Sequence, residues 1–321
     1  MNKKRALITG ITGQDGSYLA DLLLEKNYDV YGLIRNPEKK EDTIAHLEGK
    51  IKIIKGDITD RESIKRAIQE SNPDEVYNFA AQSFVGASWK DPIQTAEINA
   101  IGVVSLLESI KEIKKECKFF QASSSEIFGS AENVPQNEKM PLHPTNPYGV
   151  AKAYAHWMVE SYRKAHGMFT TSAIFFTHES PRRRLDFVTR KITNTAVKIK
   201  LGLEKELRMG NMEPRRDWGY SKDYAEAAWL MMQQENPDDY VIATGETHSV
   251  KELVDIIFKK LELDPEKYIV IDPKFFRPVE PGQLVGDASK AKQELGWQPT
   301  VSFEKIIEMM IDEDMRLLSE K

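Results

Sequence analysis

The chain has 321 residues, 40% of them hydrophobic and 30% charged, with a formal net charge of −5. That length carries one large α/β domain or two smaller ones around a sizeable core. The acidic balance, with Lys and Arg spread along the chain, excludes a nucleic-acid surface as its main business.

Cys117 is the only cysteine, which rules out an intrachain disulfide and points to a reducing compartment. The basic start, Lys3-Lys4-Arg5, leads only into Ala6-Leu7-Ile8 before Gly10, too short for a signal-peptide core. No apolar run approaches membrane-spanning length. A cytoplasmic protein with neither a membrane nor a nucleic acid as partner is expected.

The first strand is the apolar run that starts at Ala6. It ends in Gly10-Ile11-Thr12-Gly13-Gln14-Asp15-Gly16, and an apolar-periodic segment with Leu19, Leu22 and Leu23 follows. Strand, tight turn and helix in that order form a site for a diphosphate, because glycines let backbone approach it and the helix start offers unpaired N–H groups. Tyr28–Ile34 reads as a second strand. Arg35 follows it, where an NAD-binding fold places an acid for the ribose 2′-hydroxyl; a cation there favours NADP. Ile51–Lys55 is a third strand, ending near Asp57, which fits either an adenine neighbourhood or a turn.

A helix follows around Ile64–Ile68, then a fourth strand over Asp74–Phe79. Ala80-Ala81-Gln82-Ser83 is small and polar, suited to close passage of a cofactor. A buried helix is expected over Ile98–Ile110 and a fifth strand over Phe119–Ala122. This repeated β-α-β pattern predicts a Rossmann-type, doubly wound parallel sheet. The second half is less regular: strands at Thr171–Phe176, Tyr240–Ala243 and Ile269–Ile271, and helices at Val250–Leu261 and Phe303–Leu317. The expected organisation is a Rossmann domain over residues 1–176 plus roughly 216–247. A smaller C-terminal α/β substrate domain takes 177–215 plus 248–321.

Three stretches carry chemistry-bearing groups. Ser123-Ser124-Ser125-Glu126 follows the fifth strand, at the carboxyl edge where doubly wound sheets carry function. Tyr148 and Lys152 are four apart on a helix that Asn146 can cap and Pro147 can start. A lysine one turn from a tyrosine, with a cationic nicotinamide, would favour the phenolate. Thr177-His178-Glu179-Ser180-Pro181-Arg182-Arg183 brings cations to a strand end, where a substrate diphosphate fits a bidentate clamp. Further cations come at Arg215-Arg216 and Arg277, and one such cluster fits a subunit contact equally well. The six histidines show no ligand spacing, so no metal is expected; no G-x-S-x-G elbow is present.

Through Gly10-x-x-Gly13-x-x-Gly16 and Tyr148-x-x-x-Lys152 the sequence resembles the extended short-chain dehydrogenase/reductase family. Within it, the resemblance is closest to the dehydratases that act on GDP-mannose. It runs nearly end to end, through Asn78–Ser83, Pro147–Lys152 with His156-Trp157, His178–Arg183, Phe187–Lys191, Arg216–Gly219 and Tyr240–Ser249. The departures are Ser124 for a threonine, Thr177 for an asparagine, Arg184 for a glycine, Gln94 for a tyrosine, and a basic loop cut to Arg35-Asn36-Pro37.

The resemblance implies a hydro-lyase that converts GDP-α-D-mannose to GDP-4-dehydro-6-deoxy-α-D-mannose and water, moving a hydride from C4 to C6 through NADP. It implies catalytic roles for Ser124, Glu126, Tyr148 and Lys152. Cofactor contacts fall at Gly10, Thr12, Gly13, Gln14, Asp15, Gly16, Arg35, Asp57, Ile58, Phe79, Ala80, Ala81, Gln82, Ser83, Tyr148, Lys152, His178 and Arg183. Substrate contacts fall at Ser83, Ser124, Glu126, Thr177, Lys191, Arg216 and Arg277. A homodimer or homotetramer is implied. A nucleotide-sugar reductase or epimerase remains open as the alternative, and a nucleotide-sensing protein that lacks catalysis is a third. Glu126 discriminates the dehydratase, because only elimination requires a carboxylate beside the serines.

Overall fold

The computed structural model describes residues 3–39, 42–129, 134–275 and 283–319. Arg277, expected at the substrate, lies outside them. The first half alternates strand and helix: β1 (Arg5–Thr9), α1 (Gln14–Glu25), β2 (Asp29–Ile34), β3 (Lys52–Lys55), α2 (Arg61–Ser71) and β4 (Glu75–Asn78). Two short helices follow, α3 (Val85–Ser88) and α4 (Pro92–Ala96). A wide π-type turn over Glu97–Ile101 then leads into α5 (Gly102–Ile113), β5 (Lys118–Ala122), α6 (Pro147–His166) and β6 (Thr170–Phe175).

The second half begins with β7 (Thr177–Glu179), α7 (Val188–Lys200), β8 (Leu207–Met209), β9 (Arg215–Arg216), β10 (Trp218–Tyr220) and α8 (Ser221–Met232). It continues through β11 (Tyr240–Ile242), β12 (His248–Ser249), α9 (Val250–Lys260), α10 (Pro265–Tyr268), β13 (Ile269–Ile271), α11 (Ser289–Leu295) and α12 (Phe303–Ser319).

Seven strands form one parallel sheet in the order β11-β6-β5-β4-β1-β2-β3. The expected Rossmann-type sheet is therefore present. Its strands alternate faces with period two, as a sheet covered on both sides requires. Ala6, Ile8, Tyr77 and Phe120 enter the core beneath α1 and α8, whereas Leu7, Val76 and Phe119 enter the one beneath α2, α5 and α6. A third core joins α7, α9 and α12 through Ile192, Val197, Leu253, Ile257, Phe258 and Ile307.

Two of these helices, α7 and α8, were absent from the expected elements. Tyr224, Ala225, Ala227, Ala228, Met231 and Met232 of α8 are all buried, so the helix lacks a clear polar stripe. In α7 the polar residues Thr189, Arg190 and Thr193 are buried as well. Arg190 forms a buried ion pair with Asp314, and Asn194 Nδ2 donates to Asp314 Oδ1 at 3.0 Å, which ties α7 to α12.

Local signals fix α6 at both ends. Asn146 Oδ1 accepts from the Gly149 N–H at 2.9 Å, Pro147 occupies the first turn, and Gly167 ends the helix at φ +63°. Among the described residues, no helix is long and apolar enough to cross a membrane and no group of three or more His, Cys, Asp or Glu is placed to hold a metal.

Candidate active site

At the carboxyl end of β1 the backbone turns through Gly10, at φ +71°. A Cβ there would lie 2.6 Å from the Phe79 and Ala80 backbone, and one at Gly16 would lie 2.4 Å from the Gly10 carbonyl. Glycine is therefore required at both positions for β1, α1 and the end of β4 to approach so closely. Gly13 is the N-cap of α1 and brings no capping side chain, so the first-turn N–H groups face outward with the positive end of the helix. This cradle suits a diphosphate.

Around it the candidate residues are held in place. Thr12 accepts a hydrogen bond from Thr43 Oγ1 through its carbonyl, at 2.8 Å. Gln14 is buried and bridges the loops: its Nε2 donates to the His178 carbonyl at 3.0 Å, and its Oε1 accepts from Ser180 at 2.9 Å. Arg35 follows β2 and is exposed, whereas Asp57 lies two residues past β3 with its carboxylate accepting from Thr59. Ile58 is buried against Gly102.

The stretch Phe79-Ala80-Ala81-Gln82-Ser83 is positioned by groups that the sequence reading missed. Thr9 and Asn78 are hydrogen-bonded, and Asn78 Nδ2 donates to Gln121 at 2.7 Å, which spans β1, β4 and β5 with a buried polar chain. Asn99, carried by the π-type turn, accepts from the Gln82 N–H and donates to the Gln82 carbonyl, each at 2.9 Å. A wide turn of this kind is a common device for aiming a side chain at a functional segment.

Beyond β5, Ser123, Ser124 and Ser125 are buried and Glu126 is half-buried. Ser124 Oγ accepts from the Glu126 N–H at 3.3 Å, and its hydroxyl also acts on the Tyr148 phenol. Burial pushes the Tyr148 phenol up to about 12, opposed by the Ser124 hydroxyl and the Arg183 charge, while Glu126 and Asp15 push it further up. Burial also lowers the Lys152 amine to about 8, with Asp15 opposing the shift. Lys152 Nζ donates to the Ala122 carbonyl at 2.8 Å and sits 5.7 Å from the Tyr148 ring centre. Desolvation is the largest influence on Tyr148, and the Arg183 guanidinium is a cation that opposes it.

The loop after β7 separates two neighbouring arginines. Arg182 is drawn to α1, 2.7 Å from Asp21, with its guanidinium 4.1 Å above the Tyr18 ring. Arg183 lies over Phe187 at 3.5 Å and 3.3 Å from the buried Glu179. Thr177 pairs with Trp218 across β7 and β10. His178 packs at a tilt against Tyr224, ring centres 4.4 Å apart, and lies 3.0 Å from Asp15, off the line of a hydrogen bond. Lys191 Nζ donates to the Arg208 carbonyl at 2.6 Å and covers the Phe275 ring. Arg216 pairs with His248 between β9 and β12.

Chemically, the cluster combines a buried phenol, a buried amine, a hydroxyl and a carboxylate beside a diphosphate cradle. Such a set can move a proton at an alcohol and at a neighbouring carbon.

A model of the family described as GDP-mannose 4,6 dehydratase matches residues 7–310. GDP-mannose 4,6 dehydratase 2 of Arabidopsis thaliana is 48% identical, over 98% of this chain and 88% of that protein. GDP-mannose 4,6-dehydratase of Vibrio cholerae is 44% identical, over 98% of this chain and 95% of that protein. Among solved structures, UDP-glucose 4-epimerase of Thermus thermophilus in complex with NAD superposes with a TM-score of 0.85 at 25% identity. The match covers 97% of this chain and 98% of that one.

Lys152 makes the site a thermal liability. Its pKa is lower folded than unfolded, so the unfolded chain binds more protons between about pH 8 and 10.5. The cost is full below pH 8 and shrinks as pH rises through that window. Lys152→Met should therefore raise the melting temperature at pH 7, offset by about 1 kcal/mol for the bond lost at Ala122. Calorimetry from pH 7 to 10.5 should show the gain declining. An unchanged or lower melting temperature at pH 7 would exclude a destabilising buried cation.

Proposed function

The chain belongs to the GDP-mannose 4,6-dehydratase family, and on that footing we propose that it converts GDP-α-D-mannose to GDP-4-dehydro-6-deoxy-α-D-mannose with loss of water. The observation that carries this reading is Glu126, a half-buried carboxylate within one turn of Ser124 and felt by Tyr148. Residues 1–176 with 216–247 are assigned to the dinucleotide, and 177–215 with 248–321 to the sugar nucleotide.

The fit to a nicotinamide dinucleotide rests on the cradle at Gly10, Gly13 and Gly16, where side chains would intrude on backbone, and on the uncapped start of α1. Thr12, Gln14, Asp15, Asp57, Ile58 and the stretch Phe79–Ser83 would line it, with Lys152, His178 and Arg183 at the nicotinamide end. A bound dinucleotide would supply a hydride acceptor for C4 and a hydride donor for C6, and the positive charge of its ring would add to the field that favours the Tyr148 phenolate.

Tyr148 takes the proton of the sugar 4-hydroxyl, helped by Ser124 and Arg183. The resulting 4-ketone acidifies C5, and Glu126 removes that proton. The same carboxyl, now protonated, delivers the proton to the departing C6 hydroxyl, with Ser124 assisting; the two together form the water, and the proton held by Tyr148, in exchange with solvent, goes back to C5 as C6 regains the hydride. Thr177, Lys191, Arg216 and Ser83 are assigned to the sugar nucleotide. An epimerase or reductase of the same fold has no use for the Glu126 step.

Ile93, Ile101, Val150, Tyr154 and Trp157 leave an exposed apolar face across α4, the π-type turn and α6. We assign that face to a second copy of the chain. Sedimentation should give a dimer or larger, and Trp157→Glu with Ile101→Glu should shift it to monomer; a monomeric parent would dismiss the assignment.

Arg35, with no acid at the end of β2, favours NADP. Nucleotide extracted from purified protein should weigh as NADP, and Arg35→Ala should shift the preference toward NAD. Mainly NAD in the parent would refute it.

Purified protein incubated with GDP-mannose should release the 4-keto-6-deoxy product, with solvent deuterium at C5. Glu126→Gln should lower that rate about 10²–10⁴-fold, the usual range for a lost general base. Product at an undiminished rate would place the base elsewhere.

A further inference from the structure

Asn146 is 6% exposed and uses both ends of its side chain. Its Oδ1 accepts the Gly149 N–H that starts α6, at 2.9 Å. Because a backbone N–H can only be met by an acceptor, the amide orientation is fixed, and Nδ2 points the other way. There it donates to Oε2 of Glu126 at 2.8 Å. The helix start is pressed onto the same residue: a Cβ at Gly149 would lie 2.6 Å from the Glu126 carbonyl. One asparagine thus joins the carboxylate to the first turn of the helix that carries Tyr148.

We propose that Asn146 is a positioning residue for the elimination: it holds Oε2 of Glu126, leaves Oε1 for the sugar, and sets the carboxylate in register with Tyr148. This rests on the assignment of Glu126 as the C5 base. C4 and C5 are adjacent carbons, so the groups that serve them must be held to a fraction of an ångström relative to each other. Asn146 and Tyr148 are two residues apart on one capped turn, and no flexible segment separates them. A charge-assisted bond to one carboxylate oxygen also restrains the rotation of the Glu126 side chain. The charged and titratable groups acting on this corner are Glu126 and Tyr148, with Arg183 from the loop after β7, Asp15 from α1 and Lys152 one turn along α6.

Two substitutions separate the cap from the positioning. Ser and Asp are both good N-caps, so Asn146→Ser and Asn146→Asp should keep the melting temperature within a few degrees of the parent. Serine is too short to reach Glu126 as well. Asn146→Ser should therefore lower kcat and C5 deuterium incorporation about 10- to 100-fold, with the KM for GDP-mannose within about twofold. In Asn146→Asp two carboxyl groups meet, which should move the acid limb of the kcat profile up by about one pH unit or more. Parent kcat and parent acid limb in both variants would overturn the positioning role. So would a kcat that falls only in step with the melting temperature while the acid limb of Asn146→Asp stays put. Glu126→Gln run beside them tells the two readings apart. If it is slow while the Asn146 variants behave as the parent, the positioning role alone fails; if it is undiminished, the base assignment fails and this proposal with it.

Discussion

A side chain at residue 16 would put its Cβ 2.4 Å from the Gly10 carbonyl, and one at residue 10 would strike the backbone of Phe79 and Ala80. The carboxyl edge of the sheet depends on these contacts. They let α1 begin directly over the end of β1 and let β4 pass beneath it. Gln14, on the first turn of that helix, then reaches both His178 and Ser180. Larger residues at the two glycines would lift α1 away, and the loop after β7 would lose its anchor along with the dinucleotide cradle.

Above this cradle the polar groups are held at some cost in solvation. Lys152 and Tyr148 are buried, and burial is the main influence on both, driving their pKa values apart, the phenol up and the amine down. A phenol near 12 and an amine near 8 are poor partners for a permanent charge separation. They are suited to one that forms when positive charge arrives nearby, because little solvent is left to screen it. Arg183 stands ready for part of that role, whereas Arg182, its neighbour, has been given over to α1.

Most of the sheet was legible in the sequence, because its strands and helices alternate and their apolar residues keep a clean period. After residue 176 the strands at Tyr240–Ile242 and Ile269–Ile271 and the helices Val250–Lys260 and Phe303–Ser319 were legible too, but two other helices were not. The helix Ser221–Met232 is buried along most of its length between α1 and the sheet, so it shows no two-sided pattern. In Val188–Lys200 a buried arginine and two buried threonines break up the apolar stripe. Within the site, Tyr148 and Lys152 are readable from their spacing and Ser124 and Glu126 from their place after a strand. What sequence could not convey was the partner of each side chain. Asn146 reads as a helix cap, and its second bond crosses to a residue twenty positions earlier. Arg182 and Arg183 stand side by side in the sequence, and nothing there shows that α1 takes Arg182. Asn99 carries no local signal for holding Gln82, since the π-type turn that aims it is set by packing.

The main sheet closes out of chain order. Its outermost strand, Tyr240–Ile242, pairs with Thr170–Phe175, and four other strands and two helices lie between them in the chain. While the protein is being synthesised, six strands can assemble once residue 175 has left the ribosome, since domains fold from the N-terminal side as the chain emerges. The far side of β6 then stays a bare row of backbone donors and acceptors until β11 arrives. Unpaired edges of that kind are templates for pairing with other chains. The nascent molecule is therefore most exposed to wrong partners in this interval, and a pause in translation between residues 176 and 242 would lengthen it.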